Sequence, residues 1–75
     1  MTHKIDVSVD RGLGWERRPA GGLEAIVMND MIEYLARCTQ RTQRSYQLHV
    51  DDRLIATSTW QRGVKKPLVT VHEEV

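Results

Sequence analysis

Seventy-five residues with one cysteine, Cys38, exclude an internal disulfide, and so short a chain buries only about 60% of the surface its unfolded form exposes. No run reaches the roughly 18 to 20 apolar residues of a membrane span, and Met-Thr-His-Lys-Ile-Asp lacks the apolar centre of a signal peptide. The net charge of +1 is too small to argue for nucleic acid by itself, but it is unevenly spread. Residues 1–36 carry four Lys/Arg against six Asp/Glu, a balance of −2, and residues 37–75 carry seven against four, a balance of +3. The expectation is one small, soluble, cytoplasmic domain in a reducing compartment, without cofactor, that relies on one compact core or on a partner.

Lys4 to Asp10 alternates, with Ile5, Val7 and Val9 on one side and Lys4, Asp6, Ser8 and Asp10 on the other, which predicts a half-buried strand. Asp10-Arg11-Gly12-Leu13-Gly14 supplies turn residues. Trp15-Glu16-Arg17-Arg18 reads either as a short return strand or as an irregular loop. Pro19, which lacks an N–H, should end any pairing there.

From Gly22 to about Thr39, Leu23, Val27, Met31, Tyr34, Leu35 and Cys38 recur at steps of three and four and share one side of a helix. Asn29, Asp30, Glu33, Arg37 and Gln40 fall on the other side. Gly22 serves as N-cap, Glu24 suits the positive pole, and Glu33 to Arg37 is a helical ion pair. Without a glycine to close it, the helix should fray somewhere between Thr39 and Gln43.

Ser45 to Val50 is the next strand, with Tyr46, Leu48 and Val50 inward; Asp51-Asp52 is a hairpin turn; Leu54 to Trp60 is the partner strand. Two registers compete. A two-residue loop sets Ile55, Thr57 and Thr59 inward, whereas a longer loop or a bulge buries Leu54, Ala56 and Trp60 and leaves Ile55 outside. The second is favoured because a chain with four aromatics has few large side chains for its core. Gln61 to Lys66 is a basic loop, Pro67 to Glu73 the last strand with Val69 and Val71 inward, and Glu73-Glu74-Val75 should fray. The fold expected is α+β: one amphipathic helix on one face of a small, mainly antiparallel sheet, β-α-β-β-β.

Function is less legible. If the helix persists that far, Arg37, Arg41 and Arg44 form a row along one of its sides, interleaved with Thr39, Gln40, Thr42 and Gln43, and could hold phosphates or an anionic protein surface. Arg17, Arg18, Arg62, Lys65 and Lys66 could widen that row into a patch; the alternative is that the arginines of the row complement the helix C-terminus and stay solvated. Trp15, beside Gly14 and Arg17-Arg18, could stack on a base, plug a partner's pocket, or merely cover an open core. His3, His49 and His72 lie in or near strands, where neighbouring strands could bring two to metal distance or leave all three as solvated outward residues, and Cys38 is a small core residue. Ile26 and Ile32 either widen the buried face or form an apolar spot. No carboxylate pair, Ser-His-Asp set or Cys-His arrangement can be placed, and Gly12-Leu13-Gly14 lacks dinucleotide-binding spacing, so an enzyme is not expected.

In size and layout, with a first strand Ile5-Asp6-Val7-Ser8-Val9, one helix from Leu23 to Cys38 and a hairpin from Ser45 to Trp60, the chain resembles small phage-encoded anti-defence proteins, anti-CRISPR proteins among them. The resemblance assigns no residue a role. It implies a stoichiometric inhibitor in the host cytoplasm that docks on a larger host protein or ribonucleoprotein complex. Several such proteins imitate DNA with acidic surfaces; the basic second half departs from that device and favours steric occlusion. Two other readings are a nucleic-acid binder using the same arginines and a homodimer through a free strand edge or through Ile26 and Ile32.

Overall fold

The computed structural model describes residues 4–20 and 28–73. It contains β1 (Ile5–Asp10), β2 (Trp15–Pro19), α1 (Met28–Thr42), β3 (Tyr46–Val50), β4 (Arg53–Thr59) and β5 (Leu68–Val71). The strands form one antiparallel sheet in the order β2-β1-β3-β4-β5, and α1 packs mainly on β3 and β4. This is the α+β architecture the alternation and helical spacing predict, with one strand more. The expected helix start at Gly22, with Leu23, Glu24, Ile26 and Val27, lies outside the described residues, as do His3, Glu74 and Val75.

The extra strand is β2. Pro19 does not end the pairing; it sits within the ladder opposite Asp6, and Ala20 N–H still reaches the Ile5 carbonyl at 2.9 Å. β2 is an edge strand, where a missing donor on the solvent side costs no ladder bond. The β1–β2 turn uses Gly12 (φ 87°) and Gly14 (φ 132°), a left-handed stretch that a side chain would strain.

Ile5, Val7 and Val9 stand opposite Val50, Leu48 and Tyr46 on the helix side of the sheet. The core is Met31, Leu35, Leu48, Val50, Ile55 and Ala56, with Ile5, Val7, Ile32 and Tyr46 packed against it. Ile32 therefore widens the buried face rather than forming a surface spot. On the outer face β1 is covered by side chains alone: Asp6 and Ser8 are buried there, Asp6 by Arg17 at 2.8 Å and Ser8 Oγ against His49 Nε2 at 3.1 Å.

Neither register proposed for β4 holds alone. Asp51 (φ 52°) and Asp52 (φ 64°) close a two-residue turn of the kind that suits the twist of paired strands, so Val50 faces Arg53 and His49 faces Leu54. A bulge then intervenes, because Leu48 faces Ala56 and leaves Ile55 as the extra residue. Both Ile55 and Ala56 are buried. The expected burial of Leu54 and Trp60 with Ile55 outside is thus corrected: Leu54 is half-buried on the outer face and Trp60 is 38% exposed. A bulge reverses the in-out parity without a glycine, and the four residues beyond it no longer follow the turn's phase.

At the helix C-terminus Gln43 takes the left-handed conformation (φ 59°) and its N–H bonds the Thr39 carbonyl at 2.8 Å. Thr42 Oγ1 bonds the Cys38 carbonyl at 2.7 Å. Glu73, expected to fray, donates its N–H to the Ile55 carbonyl and pairs with Arg53.

Candidate functional site

The topology gathers the β1–β2 turn, the end of α1, the start of β3 and the end of β4 at one end of the sheet. Asp10, Gly12, Arg44 and Trp60 line a shallow cleft of about 500 Å³ there. Arg44 Nη1 bonds the Asp10 carbonyl at 3.3 Å, and Ser45 Oγ accepts the Trp60 N–H at 3.0 Å, which fixes both sides of the cleft. Leu13, at the tip of the turn, is fully exposed, and Trp15, opposite Asp10 in the β1–β2 ladder, is 46% exposed. Two tryptophans, a leucine and an arginine thus share one end of the molecule. Tryptophan and arginine are the side chains that dominate binding energy at protein interfaces.

The arginine row is only partly free. Arg37 Nη2 pairs with Glu33 at 2.9 Å, but both side chains are mostly exposed, so a partner carboxylate could replace Glu33 at little cost. Arg44 is not on the helix side expected for it, because α1 ends at Thr42 and Gln43 turns left-handed; it is held by a backbone carbonyl rather than a carboxylate. Arg41 has no hydrogen-bonded or ionic partner among the described residues. The interleaved threonines are already engaged within the chain. Thr39 is fully buried and bonds the Ser58 carbonyl at 3.3 Å, and Thr42 is engaged with Cys38 and Tyr46.

The residues expected to widen the row are dispersed. Alternation along β2 puts Arg18 on the helix side, opposite Val7, while Trp15 and Arg17 point to the outer face. Arg17 is taken up by Asp6 and Asp52, both at 2.8 Å, and Arg18 by Glu16, which also meets Arg11 at 3.2 Å. The Arg18 guanidinium holds the Glu16 carboxyl below its ordinary range, and Lys4, bonded to Asp52, does the same for that carboxyl. Lys65 and Lys66 lie on the other flank of α1, where Gln40 Nε2 approaches the Lys65 carbonyl at 3.5 Å.

Two features escape sequence reading. Tyr34, assigned to the buried stripe, is 52% exposed at its edge; with Val7, Val9, Cys38 and Tyr46 it lines an apolar groove of about 440 Å³ as bounded by the described residues. A hydrogen bond with the Cys38 thiol raises the Tyr34 phenol above its ordinary pKa. Its position beside Glu33 and Arg37 marks the stripe's boundary, the one signal available. Leu13 gave none, since a turn leucine can fold back as readily as protrude.

Ser8, His49 and Asp6 share the outer face, but the Asp6 carboxylate is held by Arg17 Nε at 2.9 Å and His49 meets Ser8. His72 Nε2 meets Thr57 Oγ1 at 2.7 Å. No group of three or more His, Cys, Asp or Glu among the described residues is arranged to hold a metal ion, and no helix among them is long and apolar enough to cross a membrane.

Fold and surface together define a small α+β protein that, among the described residues, has one helix on an open five-stranded sheet and exposes tryptophan, leucine and arginine side chains at one end. Comparison with protein-family models, with curated proteins and with solved structures finds no match.

Proposed function

We propose that the chain is a non-enzymatic protein-binding module that docks through the end carrying Leu13, Trp15, Arg44 and Trp60, with Arg37 and Arg41 as flanking contacts. The observation that supports this reading is a cleft holding Arg44 and a part-exposed Trp60, at the same end of the sheet as the β1–β2 turn with its fully exposed Leu13 and part-exposed Trp15. A folded chain gains nothing by itself from leaving such side chains in water, whereas desolvating them on a partner is a main source of interface energy. The partner carries an apolar depression rimmed by carboxylates. In keeping with the resemblance in layout to anti-defence proteins, that partner is a larger host effector complex, blocked by occupation of its surface.

The test compares tagged wild type with Leu13→Asp and Arg41→Glu as baits in a bacterial lysate, followed by plaque counts on a host with an active defence system. Enrichment of one complex by wild type, lost in Leu13→Asp, weakened in Arg41→Glu and accompanied by restored plaques, is the expected result. Equal recovery by all three baits would remove this surface from the reading.

A second reading rests on Arg41, Arg62, Lys65 and Lys66, none of which has a carboxylate partner among the described residues. The same cations could hold phosphates of a nucleic acid. Binding would then weaken with salt by roughly one unit of log–log slope per phosphate contact, and no gel shift at low salt would exclude it.

A further inference from the structure

The two edges of the sheet are guarded unequally. β2 ends the sheet with Pro19 and with Glu16, Arg17 and Arg18 engaged in ion pairs, devices that discourage further pairing. β5, Leu68-Val69-Thr70-Val71, has neither proline nor charge within it, and all four side chains are exposed. Val69 and Val71 stand opposite Ser58 and Ala56 on the helix side, yet they remain 36% and 52% exposed because α1 barely reaches them.

The backbone is equally open. His72 N–H bonds the Ile55 carbonyl at 2.7 Å, toward β4. Successive residues of an antiparallel ladder turn their polar groups alternately to either side. Thr70, two residues back and opposite Thr57, therefore also faces β4, and the N–H and C=O groups of Val69 and Val71 face outward.

We infer that β5 is a dimerisation edge for a second copy of this chain, paired antiparallel about Thr70. That register sets Val69 of each copy opposite Val71 of the other, the two residues whose backbone groups point outward, so four hydrogen bonds close without any rearrangement. The same two pairs cover the valines that α1 leaves exposed. Thr70 meets Thr70 across the two-fold axis on the outer face, a favourable cross-strand pair. Pro67 of one copy comes opposite Glu73 of the other, whose carboxylate Arg53 of its own chain already neutralises, so no unpaired charge is brought into the seam. Both helices lie on the same side of a ten-stranded sheet. Because only the guarded β2 edges remain, assembly stops at two copies.

An edge four residues long buries less than the ~1,200 Å² of a standard interface, so the dimer is weak and its mass rises between about 10 μM and about 1 mM. Sedimentation equilibrium should show the 8.7 kDa chain moving toward twice that mass over this range. A mass fixed at one chain throughout overturns the inference. Val71→Pro removes an outward donor and no bond to β4, so it should abolish the rise, and persistence of the dimer in a folded Val71→Pro variant would also overturn it. Should Val71→Pro fail to fold, Thr70→Cys decides: self-opposed residues of such a pair lie within disulfide reach, so oxidation should cross-link Thr70→Cys at least several-fold faster than Leu68→Cys. Equal rates count against the Thr70-centred register.

Discussion

His49 is the residue at which the outer face answers to pH. Its imidazole is half-buried between Ser8 and the ion pairs of Asp6, Arg17 and Asp52. Loss of hydration lowers its pKa from the ordinary 6.5, and the Arg17 cation lowers it further, outweighing the opposing pull of Asp6 and Asp52. A histidine whose folded pKa lies below its unfolded value binds fewer protons when folded, so stability is fully present above pH 6.5 and declines as pH falls toward the folded pKa. Urea midpoints should therefore drop between pH 7.5 and pH 5.5, taken as about one unit either side of the ordinary histidine value. His49→Gln, which keeps a polar partner for Ser8, should flatten that dependence. Glu16 and Asp52 act only at lower pH, because their lowered pKa values start from 4.5 and 3.8.

At the scale of elements, the helix stop is the feature most open to improvement. Gln43 holds a left-handed conformation that costs a residue with a Cβ about 1 kcal/mol or more, and a glycine would not meet that cost. Gln43→Gly should raise stability by about 0.5–1 kcal/mol in urea unfolding, the gain being reduced by glycine's greater freedom when unfolded. The elements also show what a single sequence conveys. β1, β3 and α1 each turn one apolar face to the core, so their periodicity announces them. β2 does not, because Trp-Glu-Arg-Arg-Pro lies at an edge beyond the helix's cover and needs no apolar side. The β4 phase depends on a bulge at Ile55 stabilised by packing beneath α1, a tertiary cause with no local signature. Among site residues, Arg41 and Trp15 stand out by type alone. The capture of Arg17 by Asp6 depends on strand pairing eleven residues apart in the chain, and it is visible only once β1 and β2 lie side by side.

On the scale of the whole molecule, its shape follows from one helix serving five strands. α1 seals β3 and β4, and the sheet's flanks are left to other means: ion pairs occupy the charged side chains of β2, while β5 and the end where the turn, the helix stop and β4 converge stay exposed. Such a division leaves both tryptophans outside the sealed core, Trp15 46% and Trp60 38% exposed. Folded monomer should therefore emit close to the wavelength of the urea-unfolded chain, and iodide should quench it well, even while far-UV circular dichroism reports a cooperative unfolding transition. Docking through this end would desolvate the indoles, so binding should shift emission to the blue and protect it from iodide, in Arg41→Glu less than in wild type. A strongly blue-shifted, iodide-resistant emission from free monomer at low concentration would mean the indoles are already sheltered by their own chain. The end of the sheet would then have no anchors to offer, and the binding surface would have to be sought instead along the Tyr34 groove.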